Sequence, residues 1–185
     1  MSGQDDVTAR SRLIIAAIDP GSEQSGLVVL HGMRLLQHET ISNSVMVALL
    51  EAQRVSLAVV LEQMHQTLPM TLVMEQIESF GKPVGRDIFD TVWWAGRFFQ
   101  AWYPGVVEHL TRRAVKAHLC GPGPATDAHV RQVLIDRFGP GKTKAIGLKK
   151  LPGPLYGVTA DQWSALALAV TWQDTHSPKK GRTTC

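Results

Sequence analysis

The 185-residue sequence predicts an α/β layer fold, a mixed five-stranded sheet flanked by helices. Three observations lead there. Apolar residues make up 44% of the chain, enough to build a core. Short apolar runs bounded by turn residues alternate with longer stretches of helical composition. The first three runs follow one another through short turns and predict an antiparallel meander, with the strands beyond the first helix joining in parallel. A Rossmann arrangement is disfavoured. No glycine-rich turn links the first strand to a helix, because Gly26 opens another strand.

Residues 1–11 read as a flexible arm, 12–176 as a single domain, and 177–185 (SPKKGRTTC) as a disordered basic tail. Leu13–Asp19 (LIIAAID) is a short apolar run stopped by Pro20-Gly21, the pattern of a buried strand. Gly26–His31 and Met33–Ile41 are the second and third strands. Asn43–Gln66 is helical by composition, with Ser42 or Asn43 as its cap. Thr71–Gln76 (TLVMEQ) returns to strand character, and its apolar run ends in an acid. Arg86–Trp102 predicts an amphipathic helix with Ile88, Val92, Ala95 and Phe99 near helical spacing. Val106–Leu110 is a short strand, and Thr111 suits the cap of Arg112–Leu119. After the break at 121–124, Thr126 or Asp127 caps a helix through Phe138 carrying Val130, Leu134 and Ile135 inside. Gly139–Gly157, with five Gly, three Pro and four Lys, reads as a loop. Thr159–Asp174 is the last helix, with Thr159 and Gln162 at capping-box spacing.

Composition narrows the function. The longest apolar stretches, such as Ala165–Val170, fall far short of the roughly 20 residues that span a bilayer, so no membrane segment is expected. The polar, mixed-charge N-terminus shows no signal peptide, and Cys120 with Cys185 makes no disulfide framework. A soluble, cytoplasmic protein is expected. Net charge is only +3, yet residues 1–110 hold 7 Lys/Arg against 12 Asp/Glu, and residues 111–185 hold 12 against 4. An acidic half followed by a basic half suits an enzyme whose carboxylates hold a metal and whose cations hold phosphates.

Three acids stand where such chemistry wants them. Asp19 ends the first strand, Glu75 lies near the end of the fourth, and Asp161 opens the last helix. Neighbouring strand ends can converge, and a helix docked on them can add a third carboxylate. Hard oxygen ligands suit Mg²⁺ or Mn²⁺, and two ions about 3.5–4 Å apart can drive phosphodiester cleavage. Each acid alone has a structural explanation: a turn residue for Asp19, the helix dipole for Asp161. Glu75 is harder to explain that way, because an acid inside LVMEQI interrupts a buried strand and needs a partner.

Taken in order, these segments resemble the RuvC-type Holliday junction resolvases of the ribonuclease H-like superfamily, most closely their bacteriophage branch. The resemblance covers roughly residues 13–172. AIDPGSEQSGLVVL resembles the first hairpin, which bears a catalytic Asp in that family and implies that role for Asp19. LVMEQIESFG resembles the strand with the catalytic Glu, here Glu75. GRDIFDTVWWAGRF and TDAHVRQVLIDRFG resemble two of the family's helices. ADQWSALALAV resembles the last helix, where Asp161 takes the first of two metal-binding positions and Ser164 stands at the second. A small residue at that second position is the phage pattern. The resemblance implies a ribonuclease H-like fold and a homodimer that cuts four-way junctions and other branched DNA. It further implies two Mg²⁺ or Mn²⁺ ions held by Asp19, Glu75 and Asp161, with Ser164 bonding a metal-bound water. The setting would be the cytoplasm of a bacterial or phage-infected cell.

Arg112, Arg113 and Lys116 crowd one helix, and Lys142, Lys144, Lys149 and Lys150 fill the loop before the last helix; phosphate binding is their expected role. Phe80 and Lys82, in the loop after Glu75, are expected to meet DNA at a junction's open centre. Trp93, Trp94, Trp102, Trp163 and Trp172 read as core or dimer-interface residues, and the seven His show no zinc spacing. Two other readings compete. Ser164 in place of an acid favours a branched-DNA-binding protein that has lost catalysis. DPGSEQSG loosely resembles the first phosphate loop of sugar kinases and actin-type phosphotransferases, but those need two such domains around a cleft.

Overall fold

The computed structural model describes residues 14–64, 70–79, 81 and 83–176, with 56–64 described by backbone alone. The expected arm and tail lie outside these residues. Three strands come first: β1 (Ile14–Asp19), β2 (Gln24–His31) and β3 (Arg34–Ser42). Helix α1 (Asn43–Met64) leads to β4 (Met70–Gln76), and α2 (Arg86–Trp102) to β5 (Val107–Thr111). Helices α3 (Arg112–Cys120) and α4 (Asp127–Phe138) follow, then a short α5 (Lys142–Ala145). A hairpin of β6 (Gly147–Leu148) and β7 (Leu151–Pro152) precedes the last helix, α6 (Gln162–His176).

The main sheet has five strands in the order β3-β2-β1-β4-β5. β1, β2 and β3 pair antiparallel, whereas β4 lies parallel to both β1 and β5. This is the mixed sheet expected from the sequence. Strand side chains alternate between faces, so β1 divides into two sets. Ala16 and Ile18 join Leu72, Met74, Met46, Leu50, Phe98 and Trp102 under α1 and α2. Ile15 and Ala17 join Val28, Leu30 and Val73 under α6. Helix α6 is buried from Ala165 through Trp172, since α3 and α4 cover its outer side with Val115, Leu119, Val130, Leu134 and Ile135. A helix apolar on every side must be enclosed in this way.

Two expectations need correction. Ile88, Val92 and Phe99 do not form the inner face of α2; they are 36%, 50% and 44% exposed, and Thr91, Phe98, Ala101 and Trp102 are buried instead. Apolar side chains occur on both sides of this helix, so periodicity alone could not choose the inward one. Gly139–Gly157 is also not a bare loop, because it holds α5 and the β6–β7 hairpin. Among the tryptophans, Trp102, Trp163 and Trp172 are buried, while Trp93 is 57% exposed.

Candidate functional site

The alternation that splits the core also aims the carboxylates. Asp19 continues the series Ile15, Ala17 on β1, and Glu75 follows Val73 on β4, so both acids face α6. The parallel register pairs Ile18 with Met74, which sets Asp19 beside Glu75 at the carboxyl ends of adjacent strands. From α6, Ser164 lies close enough to Asp19 for its hydroxyl to favour the ionised carboxyl. The turn after Asp19 is fixed from below. Asn43 Nδ2 donates to the Gly21 carbonyl (2.9 Å), Ser25 Oγ donates to Asn43 Oδ1 (2.6 Å), and the Gly21 amide donates to Ser25 Oγ (3.2 Å). Ser25 and Asn43 are buried, so this network holds the strand end rigidly where Asp19 leaves the sheet.

Burial, followed by the charge of Glu75 and a hydrogen bond shared with it, pushes the Asp19 carboxyl up to about 8. The Ser164 hydroxyl and the Arg112 charge pull the other way but do not prevail. Near neutral pH the pair therefore keeps a proton between its two carboxyl groups. Arg112, at the start of α3, places Nη1 3.8 Å from Glu75 Oε1 and Nη2 3.0 Å from Asp127 Oδ2. Lys116 Nζ sits 3.0 Å from Asp127 Oδ1. Hydrogen bonding by Lys116, and then by Arg112, holds Asp127 below the usual carboxylate range despite some burial. Arg112 rises above its ordinary value, as the charges of Glu75, Asp127 and Asp19 outweigh its partial burial. Glu75, Arg112, Lys116, Asp127 and Ser164 line one pocket. A groove lined by Asp19, Glu75, Glu78, Ile88 and Arg112 opens the pair toward α2.

Asp161 is placed differently from these. Helix α6 begins at Gln162, and Asp161 is exposed in the turn before it, following Ala160 at φ 37°. The backbone of that turn presses on β2, where a Cβ on Gly26 would fall 2.6 Å from the Asp161 carbonyl, so only glycine fits. Among the described residues, no three His, Cys, Asp or Glu side chains are gathered closely enough to hold a metal. The donor set at Asp19 and Glu75 nonetheless fits a hard divalent cation, because two partly buried carboxylates forced together are relieved by one. Arg113 lies 3.9 Å from Glu78 at the groove's rim. Lys142 and Lys144 are exposed on α5, and Lys149 and Lys150 are exposed at the hairpin tip. Phe80 and Lys82 lie outside the described residues.

Comparison with known proteins meets this geometry at the level of the fold. No protein-family model matches the sequence. No curated protein matches it either. Solved structures do. Thermus thermophilus RuvC superposes with a TM-score of 0.53 at 22% identity, over 85% of this chain and 92% of that one. The T. thermophilus RuvC solved in complex with a Holliday junction substrate gives 0.51 at 21%, over 86% and 91%. The fold is RuvC-like. Within that fold, the sequence singled out the two strand-end acids, Ser164 and the cations of α3. It missed three residues: Ser25 and Asn43, which brace the Asp19 turn, and Asp127, an acid among the cations. An Asn opening an otherwise apolar helix was a signal for the first two; Asp127 was read only as a helix cap, a position that Thr126 fills.

Proposed function

We propose that this chain is a divalent-metal-dependent endonuclease that resolves Holliday junctions and cuts other branched DNA by phosphodiester hydrolysis, acting as a homodimer. The observation that carries the proposal is the Asp19–Glu75 pair, two carboxyl groups set side by side at the ends of adjacent parallel strands, where burial and the Glu75 charge raise the Asp19 carboxyl. Asp19 and Glu75 would hold the ion, which would supply water activation and charge stabilisation for the hydrolysis. Asp161, in the exposed turn that packs on Gly26, the β2 partner of Asp19, would turn its side chain toward the pair as the third ligand, and with it a second ion. Ser164 fixes the Asp19 carboxyl, and Arg112 balances Glu75 while presenting a guanidinium face to an incoming phosphate. Lys116, Arg113 and the lysines between 142 and 150 would position the DNA backbone without reading its sequence. Phe80 and Lys82 keep their proposed place at the junction centre. The small side chain of Ser164 supports kinship with the bacteriophage branch, acting in the cytoplasm of a bacterial or phage-infected cell.

Arg112 already neutralises part of the pair's charge, and this favours a second reading: a branched-DNA-binding protein of the same fold without catalysis. One experiment separates the two. Synthetic four-way, flapped and linear duplexes are incubated with the protein in Mg²⁺, Mn²⁺ or EDTA, alongside Asp19→Asn. Metal-dependent cutting of branched DNA that disappears in Asp19→Asn supports the nuclease. Tight junction binding without cutting in either metal supports the second reading.

A further inference from the structure

The β6–β7 hairpin stands apart from the carboxylate pair, and its side chains have no role in the core. Its tip, Lys149-Lys150, lies between Leu148 and Leu151, which pair across the ladder and are 72% and 79% exposed. Among the described residues, no other large apolar side chain is as exposed as these two. Folding gives nothing for leaving two leucines in water side by side, so their place is better explained by what they meet. The mount beneath them is firm. The Gly153 amide donates to the Ile146 carbonyl (2.9 Å), and the Leu155 amide donates to the Ala145 carbonyl (2.8 Å). Ala145 and Leu155 are both fully buried. Gly147 has φ +72°, and a Cβ there would fall 2.3 Å from the Leu151 carbonyl, so the hairpin base closes only with glycine. The charge around the tip has one sign: from Lys142 to Val158 there are four lysines and no acid.

A rigid tip with paired leucines and flanking ammonium groups complements a polyanion that offers an apolar step between its charges. Nucleic acid at a point where base stacking is interrupted has that character. We propose that the β6–β7 hairpin is a wedge for branched DNA, with Leu148 and Leu151 entering an open base step while Lys149 and Lys150 hold the adjoining phosphates. The inference rests on the branched-DNA reading and extends it with a residue-level source of discrimination. A continuous duplex must be unstacked to admit the leucines, whereas a branch point is already interrupted, so the wedge penalises linear DNA.

The test uses the full chain without divalent metal, a four-way junction carrying 2-aminopurine at the branch point, and the matching linear duplex. The wild type should raise 2-aminopurine fluorescence on the junction and leave the duplex unchanged. A Leu148→Ser, Leu151→Ser double variant should lose that rise and about tenfold in junction affinity, with its salt dependence intact. A Lys149→Ala, Lys150→Ala variant should keep the rise at low salt while its salt slope drops by roughly 0.9 for each phosphate no longer neutralised. All four side chains are exposed, so circular dichroism should show each variant folded. A wild type that prefers junctions, with the leucine variant matching it in affinity and fluorescence, overturns the wedge and leaves the branched-DNA reading standing. A wild type with no junction preference overturns both. Leucine-dependent binding to phosphatidylglycerol vesicles, with no fluorescence change on DNA, would assign the hairpin to a membrane surface and likewise overturn the wedge.

Discussion

Asp19 concentrates the chemistry of this chain in one side chain. Its ordinary carboxyl value of 3.8 is pushed up to about 8 by burial and by Glu75, so the folded protein holds a proton that the unfolded chain releases. The sign follows from linkage: the advantage is complete below about 4 and is lost as pH rises through the folded value near 8. Asp19→Asn cannot ionise and escapes this loss. Its melting temperature relative to the wild type should therefore climb between pH 4 and pH 8, by on the order of 10 °C. Mg²⁺ or Mn²⁺ at pH 8 should stabilise the wild type and narrow the gap, because a cation replaces the proton between the carboxylates. Differential scanning fluorimetry across pH, with and without metal, measures both effects; a gap that stays constant would mean that the carboxylates are not coupled. This pair was legible in the sequence because an acid in the last turns of a buried strand has few structural uses. The exposed placement of Asp161 was less legible, since it depends on where α6 starts: the helix begins at Gln162 and leaves Asp161 in the turn that packs on Gly26, the β2 partner of Asp19.

At the level of elements, the joint between α3 and α4 holds cations in reserve. Arg112 and Lys116 both lie 3.0 Å from the Asp127 carboxylate, at opposite oxygens. A phosphate reaching this corner must compete with that carboxylate. Asp127→Asn removes the competitor and keeps the Thr126 cap of α4 in place. Exposed ion pairs contribute only about 0–1 kcal/mol, so the variant should fold and melt close to the wild type. Its junction affinity should rise several-fold, with a salt slope steeper by up to about 0.9 for each cation freed. Titration by fluorescence anisotropy over a range of salt reads both numbers. An unchanged slope would place the DNA path away from α3, toward α5 and the hairpin. Elements of this length are written plainly in the sequence: Arg86–Trp102 has its expected bounds, and Thr111 caps α3 through the Ala114 amide. The β6–β7 hairpin was hidden because two-residue strands carry no periodicity, and glycine and lysine read equally well as loop.

Across the whole molecule, a second apolar surface is exposed among the described residues, along α2. Phe89, Val92, Trp93, Phe99 and Tyr103 are 65%, 50%, 57%, 44% and 61% exposed, and they run along one side of α2 and its end at roughly helical spacing. Gly96 lies between them on the same helix with nothing within 4 Å of an added Cβ, which leaves room for a second backbone to approach. A four-way junction has near two-fold symmetry, so paired cuts ask for two copies of the Asp19–Glu75 site related by a two-fold axis. An isologous contact through α2 would supply that relation and cover the aromatic stripe in one step. Phe89→Glu with Phe99→Glu puts two charges into the contact without touching the buried face formed by Thr91, Phe98, Ala101 and Trp102. Light scattering should find the wild type dimeric at micromolar concentration and this variant monomeric. The variant should keep the metal-dependent stabilisation, because its carboxylate pair is untouched, and should leave junctions nicked on one strand where the wild type cuts two. A wild-type monomer that still makes paired cuts would refute the two-site requirement. A variant that stays dimeric would move the contact to another face.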